Sequence, residues 1–358
     1  MVTTALIMAG GRGERFWPKS RKGIPKQFLC LTNSERTMIQ STVDRILPLV
    51  NIKDIYISTN KDYKALVMEQ LPDLPEENIL CEPVGKNTAP CIGWGAVVIR
   101  EKYGDANMLV LPSDHLIMQP QIFRNVLKNA ISVADTTDAL VTLGISPTSP
   151  DTGYGYIQYD DDNPSENGYA FSVKRFVEKP DLETAKGYLD SGDYLWNSGM
   201  FIWKVSAILR EIETHLPDHY ALLTQIEQSI GQPDAEVVLN SAFNAIRPIS
   251  IDYGVMEKAS RIYILPASFG WDDVGSWLAV GRVNSTNEQG NVIKGDVVAI
   301  NTSHCIIQGN DKLIATVGLD NLIVVDTKDA LLVCAKDNAG EIKKILENLR
   351  ASERNELL

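Results

Sequence analysis

The chain has 358 residues, 44% of them hydrophobic and 22% charged, and no apolar run approaches the roughly 18–20 residues that a membrane span requires. A net charge of −12 argues against a broad nucleic-acid or anionic-membrane surface. Cys30, Cys81, Cys91, Cys305 and Cys334 are odd in number and form no C-x-x-C pair, so neither a disulfide framework nor a zinc site is indicated. The short apolar stretch at residues 5–9 has no basic region before it and runs into glycines, so it is no signal peptide, and the expected compartment is cytoplasmic.

In chain order, residues 4–8 read as a buried strand, 37–47 as a helix and 54–58 as a second strand. Residues 79–81 are strand-like, 88–103 helical, 107–111 a strand, 121–134 helical and 139–145 a strand. This β-α-β rhythm predicts a largely parallel sheet covered on both faces, with ligands outside the carboxyl ends of its strands. After Val292 the texture changes. Apolar clusters around Val298, Ile306, Ile314, Ile323 and Leu332 recur every eight or nine residues between Gly, Asn and Asp, which predicts an all-β module, either stacked coils of a β-helix or a small sandwich. A polar helical tail follows from Ala339. The boundary falls near residues 287–291, giving domains 1–287 and 288–358.

An acidic protein that handles polyphosphate must concentrate positive charge locally. Arg12, Arg15, Lys19, Arg21, Lys22 and Lys26 do so against the single acid Glu14. The loop Gly10-Gly11-Arg12-Gly13-Glu14-Arg15 follows the first strand, where exposed N–H groups of glycine-rich backbone can cradle anionic oxygens. A dinucleotide fingerprint would need a glycine where Phe16 stands, and no G-x-x-x-x-G-K-[ST] occurs. On the loop alone, an ordinary strand-to-helix turn with surface charges remains an alternative.

The extended run G-G-x-G-x-R-F-W-P, with P-K-Q-F ten residues on, resembles the signature of the sugar nucleotidylyltransferases. Its F-W-P and P-K-Q-F details are similar to the mannose-1-phosphate guanylyltransferase branch. The resemblance implies that Gly10, Gly11 and Gly13 lie over a triphosphate that Arg15 and Lys26 neutralise. Charge building up on the α-phosphate and the departing pyrophosphate calls for fixed cations of this kind.

Six further segments extend the likeness across about the first 285 residues. Pro112-Ser113-Asp114-His115 and Trp271-Asp272-Asp273-Val274-Gly275 resemble family segments in which Asp114 and Asp273 would bind Mg²⁺, Asp272 remaining a neighbour and His115 a neutral structural imidazole. Mg²⁺ takes one or two carboxylates plus phosphate oxygens and water, though each aspartate alone reads as a cap or turn residue. Glu82-Pro83, followed by Asn87-Thr88-Ala89-Pro90, resembles the segment near the base. There Glu82 favours guanine, whose N1–H and N2 amino group are adjacent donors to a carboxylate. Asn87 and Thr88 also suit a helix cap. Gly155, in Gly153-Tyr154-Gly155, would let a hexose approach, Glu178 and Asn197 would bind its hydroxyls, and Lys179 would neutralise the 1-phosphate. Asp252, in Ile251-Asp252-Tyr253-Gly254, also resembles a family position but reads as a helix N-cap.

The resemblance implies a Rossmannoid, glycosyltransferase-A-like mixed α/β sheet with helices on both faces, then a small left-handed β-helix-like module that supplies packing or assembly and no chemistry. It implies transfer of GMP from GTP to mannose 1-phosphate, with Mg²⁺ and without a nucleic-acid or membrane partner, and leaves room for a homo-oligomer. Some relatives carry a further cupin isomerase domain. The four histidines His115, His215, His219 and His304 build no cupin metal set, so a monofunctional chain is expected. Rival readings are UTP or dTTP with glucose 1-phosphate, and a regulatory subunit that binds nucleotide sugar without catalysis.

Overall fold

The computed structural model describes residues 1–11, 13–165 and 168–358, so Arg12 of the basic stretch lies outside the described residues. The chain divides into two compact units. One comprises Met1–Gly10, Asp44–Ser113 and Ile117–Trp271, and the other Gly11–Val43, Asp114–Leu116 and Asp272–Leu358.

The first unit is built on a nine-stranded sheet. Its strands are β1 (Thr3–Ala9), β2 (Ile55–Asn60), β3 (Ile79–Glu82), β4 (Asn107–Pro112), β6 (Leu140–Ile145), β7 (Tyr156–Pro164), β8 (Phe171–Val177), β9 (Tyr194–Lys204) and β10 (Ile262–Ala267). The short β5 (Leu116–Ile117) and β11 (Trp271–Asp272) lie where the chain passes from one unit to the other. The sheet order is β3-β2-β1-β4-β9-β6-β10-β8-β7. Apolar runs such as Ala5-Leu6-Ile7 are buried because a central strand is covered on both faces.

The sheet is mixed rather than largely parallel. β1 runs parallel to β2 and β4, and β2 to β3, as the alternation with helices predicts. β9, however, runs antiparallel to both β4 and β6, and β7 and β8 pair antiparallel. Parallel neighbours need long crossovers, whereas β7 and β8 are joined by a short connection that permits only antiparallel pairing.

The helix expected at residues 37–47 is α1 (Met38–Ile46), and α2 (Lys64–Gln70), α5 (Leu182–Ser191) and α8 (Ala235–Ala245) lie in the first unit. Helix α3 (Thr88–Tyr103) starts at Asn87, whose side-chain oxygen accepts the Thr88 N–H at 2.8 Å, and it buries Ile92, Val97 and Ile99. With α6 (Val205–His215) and α7 (Pro217–Ser229) it closes one core around Leu6, Met108, Val110, Phe201 and Trp203. α4 (Pro120–Thr137) turns Phe123, Leu127 and Ala130 inward. Among the described residues, no helix is long and apolar enough to cross a membrane.

The second unit carries β12 (Val292–Lys294), β13 (Val297–Ile300), β14 (Ile306–Gln308), β15 (Ile314–Val317), β16 (Leu322–Asp326) and β17 (Leu331–Ala335). β12, β14 and β16 stack in parallel, with Val292 beside Ile306 and Ile306 beside Ile323, and β13 pairs in parallel with β15. Successive coils therefore lie one over another, as in a β-helix, and only β17 turns back antiparallel. Helix α9 (Trp277–Val283) and the terminal helix α10 (Ile342–Ala351) complete the unit.

Its core draws on both ends of the chain. Phe16, Trp17 and Leu31 pack with Trp277, Ile306, Ile323, Ile342 and Leu346. The Phe16 and Trp277 rings meet edge-on with centroids 5.5 Å apart, and Trp277 Nε1 donates to the Trp17 carbonyl at 3.1 Å.

Candidate active site

In the second unit, a cavity of about 410 Å³ brings Arg15, Lys26, Asp114 and Asp273 together, with Gly13 and Phe16 in its wall. The glycine loop shapes it. Gly13 adopts φ +60°, and a Cβ there would lie 2.3 Å from Lys26 Cβ, so only glycine lets the two segments approach this closely. Lys26 opens the helical turn after Pro25 and lies over the Phe16 ring, 5.8 Å from its centroid.

Lys26 Nζ donates to Asp114 Oδ2 and to the Asp273 carbonyl, both at 2.7 Å. The lysine side chain is 7% exposed and the aspartate 32%, so the pair is substantially shielded from water. Burial pushes the Asp114 carboxyl up, but Lys26 and His115 pull harder and hold it below the usual carboxylate range. His115 lines the cavity too.

The neighbouring aspartates divide their work. Asp272 Oδ1 accepts the Val274 N–H at 2.8 Å, and its other oxygen pairs with Arg282 Nε at 2.8 Å and Nη2 at 2.7 Å. It holds the turn on which Asp273 faces the cavity. At Gly275, any Cβ would stand 2.7 Å from Asp273 Oδ2, so the glycine leaves that carboxylate room.

The rest of the basic stretch serves other ends. Arg21 donates to the Pro18 and Leu357 carbonyls and pairs with Asp329 at 2.6 Å. Burial, and then the charge of Lys294, lower the pKa of Lys19. Gly10 and Gly11 have open space around them.

In the first unit, a polar cluster forms around Asn197 on β9. Asn197 Nδ2 donates to Asp252 Oδ1 at 2.9 Å, while the Asn197 N–H donates to the Gly155 carbonyl at 2.8 Å. Lys179, at φ +47°, pairs with Glu178 at 3.2 Å, its own side chain 60% exposed. A Cβ at Gly155 would lie 2.4 Å from Glu178 Oε2, so the close approach that this glycine permits is that of the Glu178 carboxylate.

Asp252 is not the N-cap expected: it is the first residue of the short helical turn Asp252–Met256, which has no side-chain cap at Ile251, while Ser250 Oγ accepts the Tyr253 N–H at 3.3 Å. Burial, and then repulsion from Glu178, raise the Asp252 carboxyl to about 6.

Glu82 ends β3 and is buried. Its Oε1 accepts from Ser58 Oγ at 2.9 Å, and burial raises its pKa against the hydrogen bonds from Ser58 and Cys91. Asn87 caps α3, and Thr88 Oγ1 accepts the Ile251 N–H at 2.8 Å, so both have structural duties.

Sequence reasoning missed two features of the second unit. Lys343 of α10 lines the cavity, and Arg350 Nη2 pairs with Glu14 Oε1 of the glycine loop at 2.7 Å. In the sequence both cations look like ordinary surface charges on a polar helix. The sequence signal for Asp252 is its segment's likeness to a family position, which the capping reading outweighs, and the structure places it in the polar cluster instead.

A cavity that gathers Arg15, Lys26 and Lys343 with the carboxylates of Glu14, Asp114 and Asp273, in a chain built on a mixed α/β sheet, suits an enzyme that transfers nucleotidyl groups. The chain belongs to the nucleotidyl transferase family, which matches residues 4–290, and residues 295–349 match the mannose-phosphate isomerase/GMP-like β-helix domain. It is 40% identical to the alginate biosynthesis protein AlgA of Pseudomonas syringae over 354 residues, covering 98% of this chain and 72% of that protein. It is 41% identical to a mannose-1-phosphate guanylyltransferase of Salmonella montevideo over 359 residues, 99% of this chain and 75% of that one. A crystal structure described as mannose-1-phosphate geranyltransferase from Thermus thermophilus superposes with a TM-score of 0.88 at 35% identity, over 98% of this chain and 100% of that one.

Proposed function

We propose that this protein transfers GMP from GTP to mannose 1-phosphate, releasing GDP-mannose and pyrophosphate. The observation that carries the reading is the meeting of Arg15, Lys26, Asp114 and Asp273 in one cavity. They meet in a chain about 40% identical, along nearly its whole length, to proteins named for that reaction. The nucleotidylyltransferase domain is then residues 1–287 and the β module 288–358, acting on substrates of the cytoplasm.

The chemistry follows from charge. The sugar phosphate is already an anion near neutral pH, so in-line attack at the α-phosphorus needs no general base and no covalent enzyme intermediate; positioning and charge neutralisation supply the rate. Arg15 and Lys26 stabilise the negative charge spreading onto the α-phosphate and the leaving pyrophosphate. Asp114 and Asp273 are the residues that would hold Mg²⁺. Two carboxylates lining one cavity, one of them kept clear by Gly275, suit a cation that completes its shell with phosphate oxygens and water. When bound, that ion supplies further charge neutralisation to the triphosphate.

Glu178, Asn197 and Gly155 form the sugar-binding group, with Lys179 drawing in the 1-phosphate. Glu82 reads guanine, with Asn87 and Thr88 fixing the segment that carries it. Pyrophosphate release across four nucleoside triphosphates and several hexose 1-phosphates tests the reading. Fastest turnover with GTP and mannose 1-phosphate is expected, and a clear preference for UTP or dTTP with glucose 1-phosphate would overturn it.

A further inference from the structure

The β-helix module and its terminal helix were expected to supply packing or assembly and no chemistry. Yet Lys343, in the first turn of α10, forms part of the cavity wall beside Gly13, Arg15 and Phe16. Helix α10 is firmly seated. Ile342, Leu346 and Leu349, spaced four and three apart, are buried in the core that holds Phe16, Trp17 and Trp277. That seating fixes which way the helix's polar face points.

Lys343 and Arg350 are seven residues apart, so they project within about 20° of each other around the helix and about 10 Å apart along it. Both address the same loop: Arg350 clamps Glu14, and Lys343 reaches the cavity that the loop encloses. Among the described residues Lys343 enters no salt bridge, whereas Lys344 beside it pairs with Glu341. Lys26, by contrast, is committed to Asp114 and to the Asp273 carbonyl.

We infer that Lys343 is a further substrate-contacting cation of the reaction, which binds the pyrophosphate half of the triphosphate and the pyrophosphate product. The inference rests on the cavity being the site of nucleotidyl transfer. Exposed N–H groups of the glycine loop favour phosphate oxygens, and Lys343 shares the loop's wall, so it meets the phosphates that the loop holds. An uncommitted ammonium on a flexible stem is a point charge without the bidentate grip of arginine, which suits a group that must be released every turnover. The Glu14–Arg350 pair keeps loop and helix in register, so the terminal helix completes the phosphate site.

The test is steady-state kinetics of the whole chain with Mg²⁺, run in reverse from GDP-mannose and pyrophosphate. Lys343→Met should raise the KM for pyrophosphate at least tenfold while that for GDP-mannose moves less than twofold, and Lys343→Arg should restore most of the affinity. Lys344→Met should behave as wild type. An unchanged pyrophosphate KM in Lys343→Met, or equal weakening of both substrates, overturns the inference. Lys26→Met, run alongside, separates the two failures. If Lys26→Met is inactive and Lys343→Met normal, only the part given to Lys343 falls. If Lys26→Met is fully active, the reading of the cavity itself falls.

Discussion

Replacing Lys26 by Met keeps most of the stem that lies over Phe16 and removes the ammonium. Two 2.7 Å hydrogen bonds disappear, to Asp114 Oδ2 and to the Asp273 carbonyl. A bond to a charged group contributes about 1.5–3 kcal/mol, and the one-third exposure of Asp114 discounts the upper end, so a stability loss of about 2–4 kcal/mol is expected. Catalysis should suffer separately. Loss of one fixed charge facing the transferring phosphate costs roughly 3–4 kcal/mol of transition-state stabilisation, on the order of a few hundred-fold in kcat/KM.

The pH dependence gives a third signature. The Asp114 carboxyl is held below its ordinary value, so the pair's stabilisation is present above the usual carboxylate range and is lost as pH falls through the depressed folded value. Without Lys26, burial acts on Asp114 with less opposition, and that contribution should vanish or reverse. Urea unfolding from about pH 3 to 7, paired with pyrophosphate release near neutral pH, measures all three effects. A folded Lys26→Met variant with kcat/KM within about fivefold of wild type would refute the assignment.

Asp114→Asn and Asp273→Asn should each remove most turnover while the fold survives, because an amide oxygen is a poor substitute for an anionic magnesium ligand; near-wild-type rates at limiting Mg²⁺ would count against both. Asp272→Asn should keep turnover within about tenfold and cost only about 1–2 kcal/mol in thermal unfolding, since Arg282 is 60% exposed and an amide oxygen still accepts from Val274. Glu82→Gln can keep its bond from Ser58 but turns an amide donor toward a donor edge, so kcat/KM for GTP should fall by roughly 2–4 kcal/mol, about thirty- to a thousand-fold. An equal fall with UTP would show that Glu82 does not read the base. For Asp252, raised from 3.8 to about 6, the neutral form is favoured in the fold, so its contribution is fully present below pH 3.8 and is lost as pH rises through 6. Asp252→Asn should flatten stability over that window, by up to about 3 kcal/mol, and an unchanged pH profile of the unfolding midpoint would argue against the shift.

Local signals in the sequence determined a good deal. The apolar run of β1 and the Asn87 cap of the helix at 88–103 depend on contacts within a few residues, and the structure places those elements where they were expected. The recurring apolar clusters after Val292 likewise announced a strand-rich module, because each strand needs a small apolar set facing inward. The chemistry-bearing residues were legible only as segments similar to a family, since no single Asp or Gly distinguishes a ligand from a turn.

What pairs with what was decided by the tertiary structure. The antiparallel course of β9 between β4 and β6 reflects non-local pairing that helix–strand alternation does not encode. The parallel stacking of β12 on β14 and β16 separated a β-helix from a sandwich, although the apolar spacing is the same for both. Lys26 and Asp114 are 88 residues apart, and Glu14 and Arg350 are separated by 336, so their pairing depends on chain closure rather than spacing. Lys343 shows the limit most clearly. In sequence it is one more cation on an amphipathic helix, and only the burial of Ile342, Leu346 and Leu349 turns it toward the cavity that Arg15 and Lys26 line.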